Sequence, residues 1–132
     1  MFQSALAFNQ NISGWVMSSV TDMDRMFAGA SAFTQNIGGW NVGLVTTMMK
    51  MFSWATVFNQ DIASWDVSSV INMHSMFVGA SAFNQSMCAW WTHILFISPN
   101  NPNIFSLLGC EFTTPTSSST GPFCAVETCP ST

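Results

Sequence analysis

The side chains able to do acid–base, nucleophilic or metal chemistry are few: six Asp and Glu, two Lys and Arg, two His and four Cys in 132 residues. His74 and His93 fit no triad or zinc-protease spacing, and no glycine-rich phosphate loop is present. Asp61 and Asp66 resemble a glycosidase pair in type only. With odd spacing along one extended segment they face opposite sides or straddle a bend, so they do not converge on one bond. The chain therefore reads as no enzyme, with no cofactor. A net charge of −4 with only two cations leaves nothing to neutralise a run of phosphates, so nucleic acid is not an expected partner. The apolar share is 48%, yet no stretch approaches the roughly 18 uninterrupted apolar residues of a spanning helix. This segment is not expected to span a membrane. Twelve Phe and six Trp without a single Tyr point to rings used as core filler more than as polar handles.

The elements that position these side chains follow from an internal repeat. Met-Phe occurs at Met1-Phe2, Met26-Phe27, Met51-Phe52 and Met76-Phe77, a constant step of 25 residues. Ala5, Ala30, Ala55 and Ala80 keep that step, as do Phe8, Phe33, Phe58 and Phe83, Gln10, Gln35, Gln60 and Gln85, and Trp15, Trp40, Trp65 and Trp90. Residues at such stacked positions are core before they are ligand cage. Within a unit, Ile37, Trp40 and Val42, then Ile62, Trp65 and Val67, spell I-x-x-W-x-V, the offsets of the leucine-rich-repeat core L-x-x-L-x-L. The pattern predicts a leucine-rich-repeat-like solenoid, α/β or mainly β, with one short parallel strand per 25-residue coil. Val20, Met23, Phe27 and Ala30, three or four apart, predict a short helical or irregular return leg. Ser18-Ser19, Ser68-Ser69, Asp22 and Asp24 sit where they would cap its start. A parallel β-helix is the alternative. The solenoid is assigned to 1–97 (units 1–25, 26–50, 51–75 and a degenerate 76–97), a cap remnant around Ile104-Phe105 to 98–112, and a Ser/Thr/Pro-rich linker with a Cys-containing tail to 113–132.

The pairs Asn9-Gln10, Asn59-Gln60 and Asn84-Gln85, with Thr34-Gln35 as variant, predict amide ladders that satisfy backbone groups at a turn. Of two N-x-Ser sequons, the one at Asn84 lies in that ladder, leaving Asn11 as the glycosylation candidate.

The run from Met51 to Met73, MFSWATVFNQDIASWDVSSVINM, resembles the 25-residue repeats of mycoplasma-type surface lipoproteins and the related BspA-like leucine-rich repeat surface proteins. The resemblance covers roughly residues 1–91. It implies an extracellular or cell-surface location and a role in adhesion or recognition, with a protein or glycan partner, and brings no catalytic residues. Met1 opens inside a unit with no lysine-rich or apolar leader before it, so the chain reads as part of something longer. In that surface context, Cys88, Cys110, Cys124 and Cys129 read as two disulfides, with Cys88 to Cys110 favoured and Cys124 left to Cys129. Zinc held by Cys88, His93, Cys124 and Cys129 is the weaker alternative, and no metal is assigned.

Function is accordingly read as a repeat module for binding or adhesion, with a structural spacer or cap as the alternative. Small residues at Gly14, Gly39, Gly43, Ser64 and Ser68 favour the spacer, since a smooth face offers few hot-spot side chains. On the expected sheet, Asn41, Asp66, Trp91 and His93 cluster on the solvent face, where Trp91 would stack on a sugar ring beside amide and carboxylate acceptors. The competing role for Trp91 is covering the end of the core. An uncovered first coil would also expose an edge through which copies associate.

Overall fold

The structure, a computed structural model, describes residues 1–90 and 93. Within them the 25-residue period is a physical one: each unit forms a coil that stacks on the next. The pairing lies in residues 21–29 and their equivalents. The N–H groups of Met23, Arg25, Phe27 and Gly29 donate to the carbonyls of Thr47, Met49, Met51 and Ser53 at 2.7–3.0 Å. One coil further, Met48, Lys50, Phe52 and Trp54 donate to Asn72, His74, Met76 and Val78 at 2.6–2.9 Å. The alternate N–H groups turn inward: Met26 donates to Met23, Ala28 to Arg25 and Ala30 to Phe27.

This alternation corrects one expectation and decides between the alternatives of another. The I-x-x-W-x-V segment is not a strand. It folds as successive tight turns, with Trp40 N–H donating to Ile37 and Val45 N–H to Val42. Of the helical or irregular return leg expected from Val20, Met23, Phe27 and Ala30, the irregular form is present, because the backbone is interrupted at left-handed residues, Arg25 at φ 51° and Gly29 at φ 72°. A positive φ reverses the chain after each turn, so no second helical turn propagates and no extended run of regular strand forms. Among the described residues the parallel contacts reduce to isolated bridges, Asp22 with Thr47 and Thr47 with Asn72. The one element with defined bounds among the described residues is a 3-10 turn, Cys88–Trp90.

Corners are made by short polar side chains that accept an N–H two residues on, as in Asx turns. Asn11, Asn36 and Asp61 accept from Ser13, Gly38 and Ala63; Asp22 and Asn72 accept from Asp24 and His74. Asp22 is thus a corner residue and not a helix cap. Ser69 is not a cap either: its hydroxyl donates to the Gly43 carbonyl of the previous coil at 2.7 Å.

The core is a set of aromatic columns. Phe2, Phe27, Phe52 and Phe77 stack with ring centroids 5.7 Å apart at each step, and Phe8, Phe33, Phe58 and Phe83 at 5.8–5.9 Å. The two columns touch within each coil, at 4.1 Å for Phe27 with Phe33 and 4.0 Å for Phe52 with Phe58. Trp40, Trp65 and Trp90 form a third column at 6.3–6.4 Å. Buried indole N–H groups need acceptors. Those of Trp40 and Trp65 donate to the carbonyls of Ile12 and Ile37, the same position one coil back. Trp90 is stacked and buried, but among the described residues its N–H has no acceptor, so the indole-to-carbonyl ladder does not continue at the 3-10 turn.

The expected amide ladder is present. Asn9 accepts from the Thr34 N–H and the Gln35 side chain, and Asn59 repeats this with the Asn84 N–H and the Gln85 side chain.

Candidate functional site

Two surfaces carry polar side chains in register. The first is the face expected from sequence. Asn41 and Asp66 are both exposed and come together around Gly43: a Cβ there would lie 3.5 Å from Asn41 Oδ1 and 3.4 Å from Asp66 Oδ2. Both side chains are also committed to their own backbone, Asn41 Oδ1 accepting from Gly43 N–H at 3.2 Å and Asp66 Oδ1 from Ser68 N–H at 3.0 Å. The Ser68 hydroxyl, then its N–H, and last the nearby His93 ring hold the Asp66 carboxyl below its ordinary value of 3.8. His93 itself lies half-buried, with Nε2 2.6 Å from the Val70 carbonyl oxygen. Trp91 lies outside the described residues, as do Cys110, Cys124, Cys129 and the 98–132 segments. Cys88 is disulfide-bonded, and the favoured pairing with Cys110 falls on undescribed residues. Asn11 is exposed, its Oδ1 taken by the N–H and hydroxyl of Ser13, which leaves Nδ2 outside both bonds.

The second surface was not anticipated from sequence. A groove of about 610 Å³ runs across the coils, lined among others by Ser4, Arg25, Gly29, Lys50, Trp54 and Ser75. Arg25 and Lys50 are the only Arg and Lys of the chain, and they occupy the same position of successive coils. The signal was available: both cations stand 25 residues apart, in the period that fixes every core column. Trp54 occupies the column of Ser4, Gly29 and Gly79, and is the large side chain in it. Its φ of 60° is left-handed, and it is 60% exposed. The indole lies down on the next coil because residue 79 is glycine; a Cβ there would meet the ring at 2.6 Å.

The chain belongs to a family described as Mycoplasma protein of unknown function, DUF285, whose model matches residues 1–96. Neither the curated proteins nor the solved structures give a match. Among the described residues no helix is long and apolar enough to cross a membrane.

Proposed function

We propose that the chain is a non-enzymatic repeat module for binding or adhesion at a cell surface or in the secreted space, a leucine-rich-repeat-like solenoid of the BspA-like surface-protein kind. The observation that carries this reading is the division of labour in each coil. Backbone donors and rings are used on the neighbouring coil, while the outward columns present side chains in register across several coils, as repeat proteins that bind through extended surfaces do. Of the two surfaces, the Arg25–Lys50–Trp54 groove suits a ligand better than the Asn41–Asp66 face, because the acceptor oxygens of Asn41 and of one side of Asp66 already serve their own turns. The partner is a protein or a glycan. Copies of the chain associate through a concavity of about 500 Å³ on the first coil, whose walls include Met1, Trp15, Val16 and Val20.

A specific observation favours the spacer reading. Gly14, Gly39, Ser64 and Ala89 form an exposed column of small residues, with open space around both glycines. Presenting the intact chain on beads to an array of glycans and immobilised extracellular proteins separates the two. Saturable binding to at least one ligand supports the binding module, and its absence across the array overturns it in favour of a spacer.

A further inference from the structure

We infer that the groove between Arg25, Lys50 and Trp54 is a binding site for a saccharide bearing a single carboxylate or sulfate group. Three independent features meet there. The first is charge. In a chain of net charge −4, both cationic side chains stand in one column of adjacent coils. Arg25 is held on one side by Asp24, Nη1 to Oδ2 at 3.2 Å, and Lys50 forms no ion pair among the described residues. Two cations and one carboxylate leave a local excess of one positive charge. That suits a monoanion and not a polyanion, which the remaining acidic surface would repel.

The second feature is an aromatic in a column of small residues. Positions 29 and 79, equivalent to Trp54, are glycines at φ 72°, the residue that adopts this conformation without penalty. Ser4, the fourth member of that column, has φ 59°, so the left-handed backbone is set by the fold, and what singles out Trp54 is a bulky side chain where the column otherwise holds Ser or Gly. Trp54 gains little burial in return, being 60% exposed while the other columns hold their rings inside. Core packing therefore does not account for it. A flat, exposed indole is the side chain that stacks on the apolar face of a pyranose ring.

The third feature is shape. At about 610 Å³ the groove falls in the range of small-ligand sites, and the hydroxyl-bearing Ser4 and Ser75 line it where a sugar needs polar partners. Arg25 and Lys50 take the acid group, Trp54 takes the ring face, and Gly79 keeps the indole flat against the coil.

This inference rests on the binding-module reading and names its site and ligand class. The test is two-dimensional NMR of the intact chain titrated with 3′-sialyllactose, 3′-sulfolactose and lactose. The expected result is a shift of the Trp54 indole N–H and of the Arg25 and Lys50 amides with the carboxylated or the sulfated sugar, and none with lactose; the stronger of the two identifies the acid group. Arg25→Gln and Lys50→Gln each weaken binding about tenfold or more. Trp54→Gly abolishes it while Tm stays level or rises, because glycine takes the left-handed backbone without strain. Equal shifts with lactose, no shift with either acidic sugar up to ~10 mM, or a Trp54→Gly chain that melts lower and binds unchanged would each overturn the site. Binding of another ligand on the array that survives all three substitutions overturns this site and leaves the wider reading standing.

Discussion

The first coil and the third carry the same residue types in the same columns, and bury them to different depths. Phe52 is fully buried and Trp65 is 3% exposed, whereas Phe2 and Phe8 are half-buried and Trp15 is 40% exposed. Local sequence does not explain this, since each pair shares one column. The neighbours do. Phe52 lies between Phe27 and Phe77 at 5.7 Å on each side, while Phe2 meets that column on one side, at Phe27. Trp65 stacks between Trp40 and Trp90, but Trp15 leans on Phe2 at 5.8 Å, outside the tryptophan column. Stability in this molecule is thus a sum of coil-to-coil contacts, as in other repeat proteins, and a column residue contributes according to how many of its faces are covered.

The largest effect expected from this comparison is at the middle of the phenylalanine column. Phe52→Ala should cost about 3–5 kcal/mol, enough to unfold the stack, whereas Phe2→Ala should cost less than half as much. Denaturant titration of the two variants reads the difference, and equal losses would break the nearest-neighbour picture. The tryptophan column sharpens it. Trp65→Phe removes buried ring volume and the donor to the Ile37 carbonyl, at about 2–3 kcal/mol, while Trp15→Phe should change stability by less than about 1 kcal/mol. Comparison of the midpoints of thermal unfolding checks this pair.

Most of what sets these magnitudes is legible in the residues themselves. The period, the Met-Phe and Phe columns, the Trp column from Trp40 to Trp90, the Ala column and the amide pairs at Asn9 and Asn59 all hold positions that the spacing predicts. The location of the inter-coil bonds is not legible in that way. An apolar offset such as I-x-x-W-x-V states which side chains point inward, and turns satisfy it as well as a strand does. The decisive information sits in φ at Ser4, Arg25, Lys50, Trp54 and Ser75, L residues with no compositional mark of a left-handed backbone. Gly29 and Gly79 are the visible trace of that requirement in one of the two left-handed columns. The candidate site divides similarly. The period alone places Asn41 and Asp66 side by side, but their commitment to Asx turns depends on a corner that a strand at this position would not have. The groove is not legible from the apolar offsets, because they point to the expected sheet face while Arg25, Lys50 and Trp54 stand on the return leg.

The smallest effect expected lies at the Asp66 corner, compared with the Asn41 corner, which has no carboxyl to titrate. The folded-state pKa of Asp66 is lowered chiefly by the Ser68 hydroxyl and N–H, so its contribution to stability is present above the ordinary carboxylate value and is lost as pH falls through the lowered one. Asp66→Asn should therefore flatten the acid limb of the stability profile slightly and leave the neutral region nearly unchanged. A variant that loses stability at neutral pH and keeps the full acid limb would show that another group sets it.

Residue-resolved amide hydrogen exchange tests the stacking most directly. The coils are held by alternate N–H groups of the left-handed segment, so Met23, Arg25, Phe27 and Gly29, with Met48, Lys50, Phe52 and Trp54, should exchange slowest. The amides of Asn41 and Val42, and of Asp66 and Val67, should exchange far faster. Slow exchange concentrated in the I-x-x-W-x-V segments, with fast exchange at Phe27, Gly29, Phe52 and Trp54, would contradict the ladder and restore a strand at the position where the leucine-rich-repeat pattern puts it.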